Sequence, residues 1–343
     1  MNFYSSKSLT TTTVTLLLLS AVSQGCKTKV TETQNQTEIE NPVEEVIKSN
    51  PTVHLEYETK AALGEGAFWN HKTQEFYWID IVNKKFHIYK PSNKINKSYE
   101  MPSEIGTVVP YTNQEAVVAL ADGIYTVNLE SGKLKMFSDV ENKMTENRFN
   151  DGKCDPLGNL WVGSMHLKQS EPKASLYKIN PKGEATKMLG NITISNGIVW
   201  TSDNKKMYYI DTPTGNIRAF DYDITNGTIT NERVAVKVPE SLGYPDGMAI
   251  DEEDMIWVGL WNGNSVVRFN PNTGELLQQI KVPAHNVTAC AFGGENLDEM
   301  YITTARVDMS EEELEKYPLA GSIFKVKPGV KGVKSAFFGN ATN

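Results

Sequence analysis

The sequence predicts an all-β protein, a six-bladed β-propeller. Short strand-like runs rich in aromatic and β-branched residues recur at steps of about 40 to 50 residues. Each run is followed by a second strand-like segment and a turn rich in Gly, Asn, Asp or Pro. Long amphipathic helical patterns are hard to find. Radial repetition of small sheets is the architecture that accommodates such a period and protects the sheet edges. A β-sandwich also has regular turns, but the blade-length period argues against it.

The elements follow in chain order. Residues 1–25 read as a signal peptide: MNFYSSK carries one Lys, and the apolar run TVTLLLLSAV is too short to span a bilayer comfortably. SQGC then ends at Cys26, which resembles a bacterial lipoprotein signal, although Ser23 stands where Leu is usual. The expectation is an exported protein, periplasmic or on the outer surface, with its membrane contact through a lipid on Cys26. Removing residues 1–25 takes away only Lys7 among the charged residues, so the formal charge of −8 becomes −9. Residues 26–50 are polar and poor in apolar side chains, the composition of a flexible tether. The propeller is expected over 51–343.

Within it the first-of-pair runs are FYWIDI from Phe76, AVVALADGIYTVN from Ala116, LWVGSM from Leu160, MYYIDT from Met207, IWVGLW from Ile256 and MYITTA from Met300. Their successors include KFHIYKP, SLYKINP, NIRAFDYD, SVVRFNP and SIFKVKP. VHLEYE, 53–58, precedes the first full unit and is expected to close the ring by pairing with the last blade near SAFFG. SEEELEKYP from Ser310 reads as a short charged helical insertion with a solvated face.

Composition excludes some functions. Hydrophobic residues make up 39% and charged residues 22%, ordinary values for a chain with a sizeable core. No basic run interleaved with aromatics appears, so a nucleic-acid footprint is absent. Cys154 and Cys290 have no metal-ligand spacing and read as buried free thiols. No nucleophile elbow and no phosphate loop are present. His166 reads as a loop histidine at a pocket mouth, while His54, His71, His87 and His285 show no ligand spacing. Trp69, Trp78, Trp200 and Trp257 read as blade packing.

Ten to thirteen residues before the strand aromatics Tyr77, Trp161, Tyr208 or Tyr209, and Trp257, four units carry an acid or amide followed by Gly. They are Glu65-Gly66, Asp151-Gly152, Asn196-Gly197 and Asp246-Gly247. Any one alone is a good turn pair. In a propeller, however, equivalent positions converge on one axis, and four at one phase suggest a ring of oxygen donors. Hard donors suit Ca²⁺, Mg²⁺ or Mn²⁺. Such a cation can polarise a carbonyl and help lower the pKa of bound water.

GEGAFW, NRFNDGKCDPLGNLWVGSM, SNGIVWTSDNKKMYYIDTPTGNIRAFDYD, PDGMAID and TACAFGGENLDEMYITTA resemble the senescence-marker-protein, regucalcin and gluconolactonase family. The resemblance covers about residues 55–330, and the order and spacing of five motifs make it specific. It implies a six-bladed propeller that hydrolyses a small sugar lactone with one divalent metal ion, Ca²⁺ first, with Mg²⁺, Mn²⁺ or Zn²⁺ as alternatives. By that resemblance Glu65, Asn196 and Asp246 hold the metal, Asp246 serves as base or positions the attacking water, and Arg148 and Asn150 contact substrate. Asp151 takes an orienting or turn role. Animal members carry Glu three residues after the Gly-Thr-Met that ends their strand. Here Gly-Ser-Met leads to Lys168, for which two readings stand: a substrate contact that would suit a carboxylate-bearing lactone or a different hydroxyl pattern, or a side chain that points to solvent. Two other functions fit the same architecture: a phosphotriesterase-like or paraoxonase-like hydrolase, and a non-catalytic metal-binding propeller.

Overall fold

The computed structural model describes residues 51–340. The expected signal peptide, tether and Cys26 anchor lie outside the described residues. Those described form six four-stranded antiparallel sheets. The first sheet is Gly64–Asn70, Glu75–Asp80, Lys85–Lys90 and Ile95–Glu100. The next four follow the same up-and-down order, with innermost strands Ile105–Pro110, Asn147–Cys154, Ser195–Trp200 and Tyr244–Ile250. The sixth begins with Asn286–Gly293 and Glu299–Ala305.

The sixth sheet is closed by the start of the domain. His54–Tyr57 pairs antiparallel with Ile323–Val326, with Leu55 opposite Phe324. Closure by VHLEYE thus holds, but its partner is the SIFKV segment and not SAFFG. The later segment runs beneath the ring, where Ala336 bridges to Cys154 and Gly332 to Asp251. Joining the two ends of the domain in one sheet leaves no open blade edge between them.

The burial pattern explains why these runs became strands. Innermost strands are buried along all or nearly all of their length, as in GEGAFWN, IGTVVP and, after its first residue, YPDGMAI, whereas fourth strands such as INKSYE are mostly exposed. Trp78, Trp161 and Trp257 are fully buried between sheets. Two of them are fixed by a repeated device. The indole Nε1 of Trp161 donates to Asp155 at 2.8 Å, and that of Trp257 donates to Asp251 at 2.9 Å. Each acid also accepts backbone N–H groups from its own turn. The one α-helix of the described residues is Glu311–Lys316, started by a Ser310–Glu313 capping box and exposed as expected.

The four acid-Gly and amide-Gly pairs are not turns. All four lie inside innermost strands, where the register with the second strand shifts: between Glu65 and Phe68, Phe149 and Gly152, Asn196 and Ile198, and Pro245 and Met248. The other two innermost strands shift at the same level, between Ile105 and Thr107 and between Val287 and Cys290. A bulge of this kind re-aims the side chain beside it. The glycines serve close packing of adjacent blades. A Cβ on Gly197 would stand 2.8 Å from the Asp246 carbonyl oxygen.

Candidate active site

The six bulges surround one axis, so the side chains they redirect meet there. Glu65, Arg148, Asn150, Asp151, Asn196 and Asp246 are all buried, each exposing less than a tenth of its surface. The structure therefore brings together five of the six residues expected from sequence. Lys168 is different. It is exposed on the turn after Leu160–His166 and forms no hydrogen bond or ion pair with Arg148 or Asn150.

The amide of Asn196 is aimed by a chain of hydrogen bonds. The Thr212 hydroxyl donates to the Pro245 carbonyl at 2.8 Å. Its proton is thereby committed, so the hydroxyl oxygen accepts from Asn196 Nδ2, also at 2.8 Å. Asn196 must then turn Oδ1 away from Thr212. That oxygen accepts from Asn150 Nδ2 at 3.1 Å and keeps a second lone pair. Asn150 Nδ2 also donates to the Ser195 carbonyl at 2.7 Å, and its Oδ1 accepts from Arg148 Nη1 at 2.7 Å. Arg148 Nη1 donates further to the Phe149 carbonyl at 2.9 Å. The other guanidinium donors have no such partner among the described residues.

The two carboxyls at the axis are held very differently from the structural acids. Asp155 is met by backbone, Asn159, Trp161 and Tyr222 donors. Glu65 accepts only from the Gly66 amide, at 3.0 Å, and otherwise shares a hydrogen bond with Asp246. No amide or hydroxyl donor among the described residues reaches the Asp246 carboxyl. Burial, and then the Asp151 charge, push Glu65 up to about 8, with Gly66 and Arg148 pulling the other way. Burial, followed by the Glu65 charge, holds Asp246 well above the usual carboxylate range. Two buried carboxyls in hydrogen-bond contact cannot both be ionised without a cation between them.

Asp151 belongs to this axis rather than to a turn. Its Oδ1 accepts from the Gly152 amide at 2.7 Å, and its Oδ2 is buried without a hydrogen-bond donor. Burial raises its pKa, and Lys153 acts against that rise. Lys153, in turn, donates to the Met248 carbonyl from below. His166 also departs from expectation. It is 1% exposed at the end of its strand, opposite Asn147, with neither ring nitrogen partnered.

Among the described residues no three His, Cys, Asp or Glu side chains gather as a metal cluster. The donor set at the axis is two carboxylates and one amide oxygen. The shared Glu65–Asp246 hydrogen bond and the inward Asn196 Oδ1 fit a divalent cation that prefers hard oxygen ligands. Without a cation, two buried carboxyls this close would share a proton.

Sequence reasoning missed Thr212, because a lone Thr after a strand carries no signal, and it undervalued Asp151 and Lys153. Their place on one strand with Arg148 and Asn150 was the available clue.

A family model described as "SMP-30/Gluconolactonase/LRE-like region" matches residues 63–306. The chain is 38% identical over 273 residues to a Bacillus subtilis protein named "Putative sugar lactone lactonase YvrE", covering 80% of this chain and 94% of the other. Among solved structures, a luciferin-regenerating enzyme superposes with a TM-score of 0.79 at 34% identity, covering 84% of this chain and 99% of that one. A calcium-binding protein, regucalcin, from Agrobacterium tumefaciens gives a TM-score of 0.80 at 25% identity, covering 84% and 97%.

Proposed function

Because this chain belongs to the SMP-30/gluconolactonase/LRE-like family, we propose that it is a metal-dependent hydrolase that opens a sugar lactone. The observation that supports this reading best is the Glu65–Asp246 carboxyl pair facing the oriented Asn196 oxygen, with the Arg148 guanidinium beside it. The lactonase name of a relative that matches four-fifths of the chain points to the same chemistry.

Glu65, Asn196 and Asp246 would hold the cation. When bound, a divalent cation supplies Lewis-acid polarisation of the lactone carbonyl and lets both carboxyls ionise. Asp246, once ionised, takes a proton from the water that attacks the carbonyl carbon. The ring C–O bond then breaks, and the departing ring oxygen receives the proton that Asp246 removed. The products are a hydroxyl and a carboxylic acid in one open chain, and the acid then loses its proton to solvent as a carboxylate. Arg148 binds substrate oxygens through the donors it does not spend on Phe149 and Asn150. Asn150 holds Arg148 on one side and Asn196 on the other, so substrate and metal positions are linked by one amide. Burial makes these hydrogen bonds count, since water does not compete for them.

A panel of aldonolactones, aryl esters and aryl phosphotriesters, assayed with and without chelator, tests the reading. Lactone turnover that is lost on chelation and restored by Ca²⁺, Mg²⁺, Mn²⁺ or Zn²⁺ is the expected result. Absence of lactone turnover with every cation, or a preference for the phosphotriesters, would overturn it.

A further inference from the structure

The innermost strands continue past the active site and end around a second cavity of about 350 Å³. Its walls include Ala67, Lys153, Val199, Ala249 and Ala291. These lie two or three residues beyond Glu65, Asp151, Asn196, Asp246 and Thr288 on the same strands. At about 3.3 Å per residue, the cavity sits on the order of 10 Å further along the axis than the carboxyl pair. The C-terminal segment Val333–Ala336 covers part of it.

We propose that this cavity binds a small carboxylate with a flat apolar body, at a site separate from the active centre. Three observations carry the assignment. First, no Asp or Glu lines the cavity, whereas Lys153 and Lys334 do. Lys153 is engaged by the Met248 carbonyl and lies close to Asp151, but Lys334 is exposed and has no ion-pair or hydrogen-bond partner among the described residues. Second, Trp200 lines the cavity, is 8% exposed, and its indole N–H is buried with no acceptor. A buried N–H without an acceptor is unfavourable, and a rotation of the Trp200 ring toward the cavity would let a ligand oxygen relieve it. Third, one side of the wall is apolar, with Val199, Ile250, Ala291 and Phe292 offering a surface for a ring or short hydrocarbon, while Thr201, Ser202, Asn204 and Ser335 complete the lining. The nearby acids are already committed. Asp155 accepts from Trp161 and Tyr222, and Asp254 accepts from Ser202 at the cavity rim. A volume of this size lies at the lower end of the small-molecule range, ~300–1,000 Å³.

The proposal does not rest on the lactonase reading, and its test is independent of turnover. 4-Fluorobenzoate is titrated into the full chain and followed by ¹⁹F NMR. Saturable binding is expected, weakened at least about fivefold by Lys334→Ala and by Trp200→Phe, which keeps the ring but removes the N–H. Arg148→Gln should leave it unchanged, because Arg148 lies at the other centre. Neutral 4-fluorobenzamide should bind at least about tenfold more weakly, and inorganic phosphate should not displace the probe at equal concentration. Lys334 is exposed, so its variant folds even if the Trp200 variant does not. Absence of saturable binding overturns the proposal. So does binding that Arg148→Gln abolishes and Lys334→Ala leaves intact, an amide that binds as well as the carboxylate, or equal displacement by phosphate.

Discussion

Cation binding at the axis should release protons, and the structure sets how many. Glu65 stands at about 8 and Asp246 is also raised. At pH 7 a group with that pKa is protonated ~90% of the time, so the pair carries about one proton or more. A cation held by both carboxyls must displace it. Apparent affinity should therefore fall ~10-fold for each pH unit below about 8, or ~100-fold between pH 8 and pH 6, equivalent to ~2.7 kcal/mol. The assay is calorimetric titration with Ca²⁺ from pH 6 to pH 9 in two buffers of different ionisation enthalpy, which counts protons directly. Asp246→Asn removes the like charge and should return Glu65 toward the ordinary glutamate range, visible by NMR titration of its carboxyl. Affinity constant within threefold across this range, with no buffer dependence of the heat, would refute the shared-proton account.

Other consequences follow from particular contacts. Thr212→Val removes the acceptor that aims Asn196, and should weaken cation binding ~10–100-fold without unfolding the domain, with Thr212→Ser restoring it. Equal calorimetric affinity in Thr212→Val and the parent would contradict the orienting role. Gly197→Ala places a methyl 2.8 Å from the Asp246 carbonyl oxygen and from Met248 Cβ, and should cost ~1–3 kcal/mol in chemical denaturation. His87 is buried, stacked on Trp78 with centroids 3.8 Å apart, and burial lowers its pKa to about 4. The folded state thus favours the neutral ring. Its contribution is complete above the unfolded value of 6.5 and is lost as pH falls toward 4. The stability advantage of the parent over His87→Phe should shrink by about 2–3 kcal/mol between pH 7 and pH 4.5, and an unchanged difference would show that the ring is not held neutral.

The propeller was legible because each blade repeats the same hydrophobic strand at a fixed period, as FYWIDI, LWVGSM and IWVGLW do. The axis was legible only in part. Glu65, Asp151, Asn196 and Asp246 share a phase with Gly behind them, and four of the six bulges could be located this way. Gly106 and Thr288 occupy the other two without an acid or amide, so nothing in sequence marked them. The same dipeptides also looked like turns, because local composition cannot distinguish a hairpin tip from a mid-strand bulge. Which of them was a bulge depended on the neighbouring blade, as the approach of Gly197 to Asp246 shows. Long-range partners were equally hidden. The strand closing the ring was expected at SAFFG, yet both SIFKV and SAFFG have strand-like composition and only pairing geometry selects the former. His166 looked solvated because it follows a strand, but its pairing opposite Asn147 buries it. Lys168 was visible as a break in a resembling motif, and its exposed position on a turn could not be read from that motif.

The central claim is that the Glu65–Asp246 pair is the hydrolytic centre. Its most direct test is the initial rate of proton release from an aldonolactone, followed by pH-stat with saturating divalent cation, for the parent and Asp246→Ala. Circular dichroism and melting should show that both chains are folded. The account predicts turnover in the parent and a loss of at least ~100-fold in the variant, the scale of a removed general base. A folded Asp246→Ala chain that opens the lactone at the parent rate would contradict it.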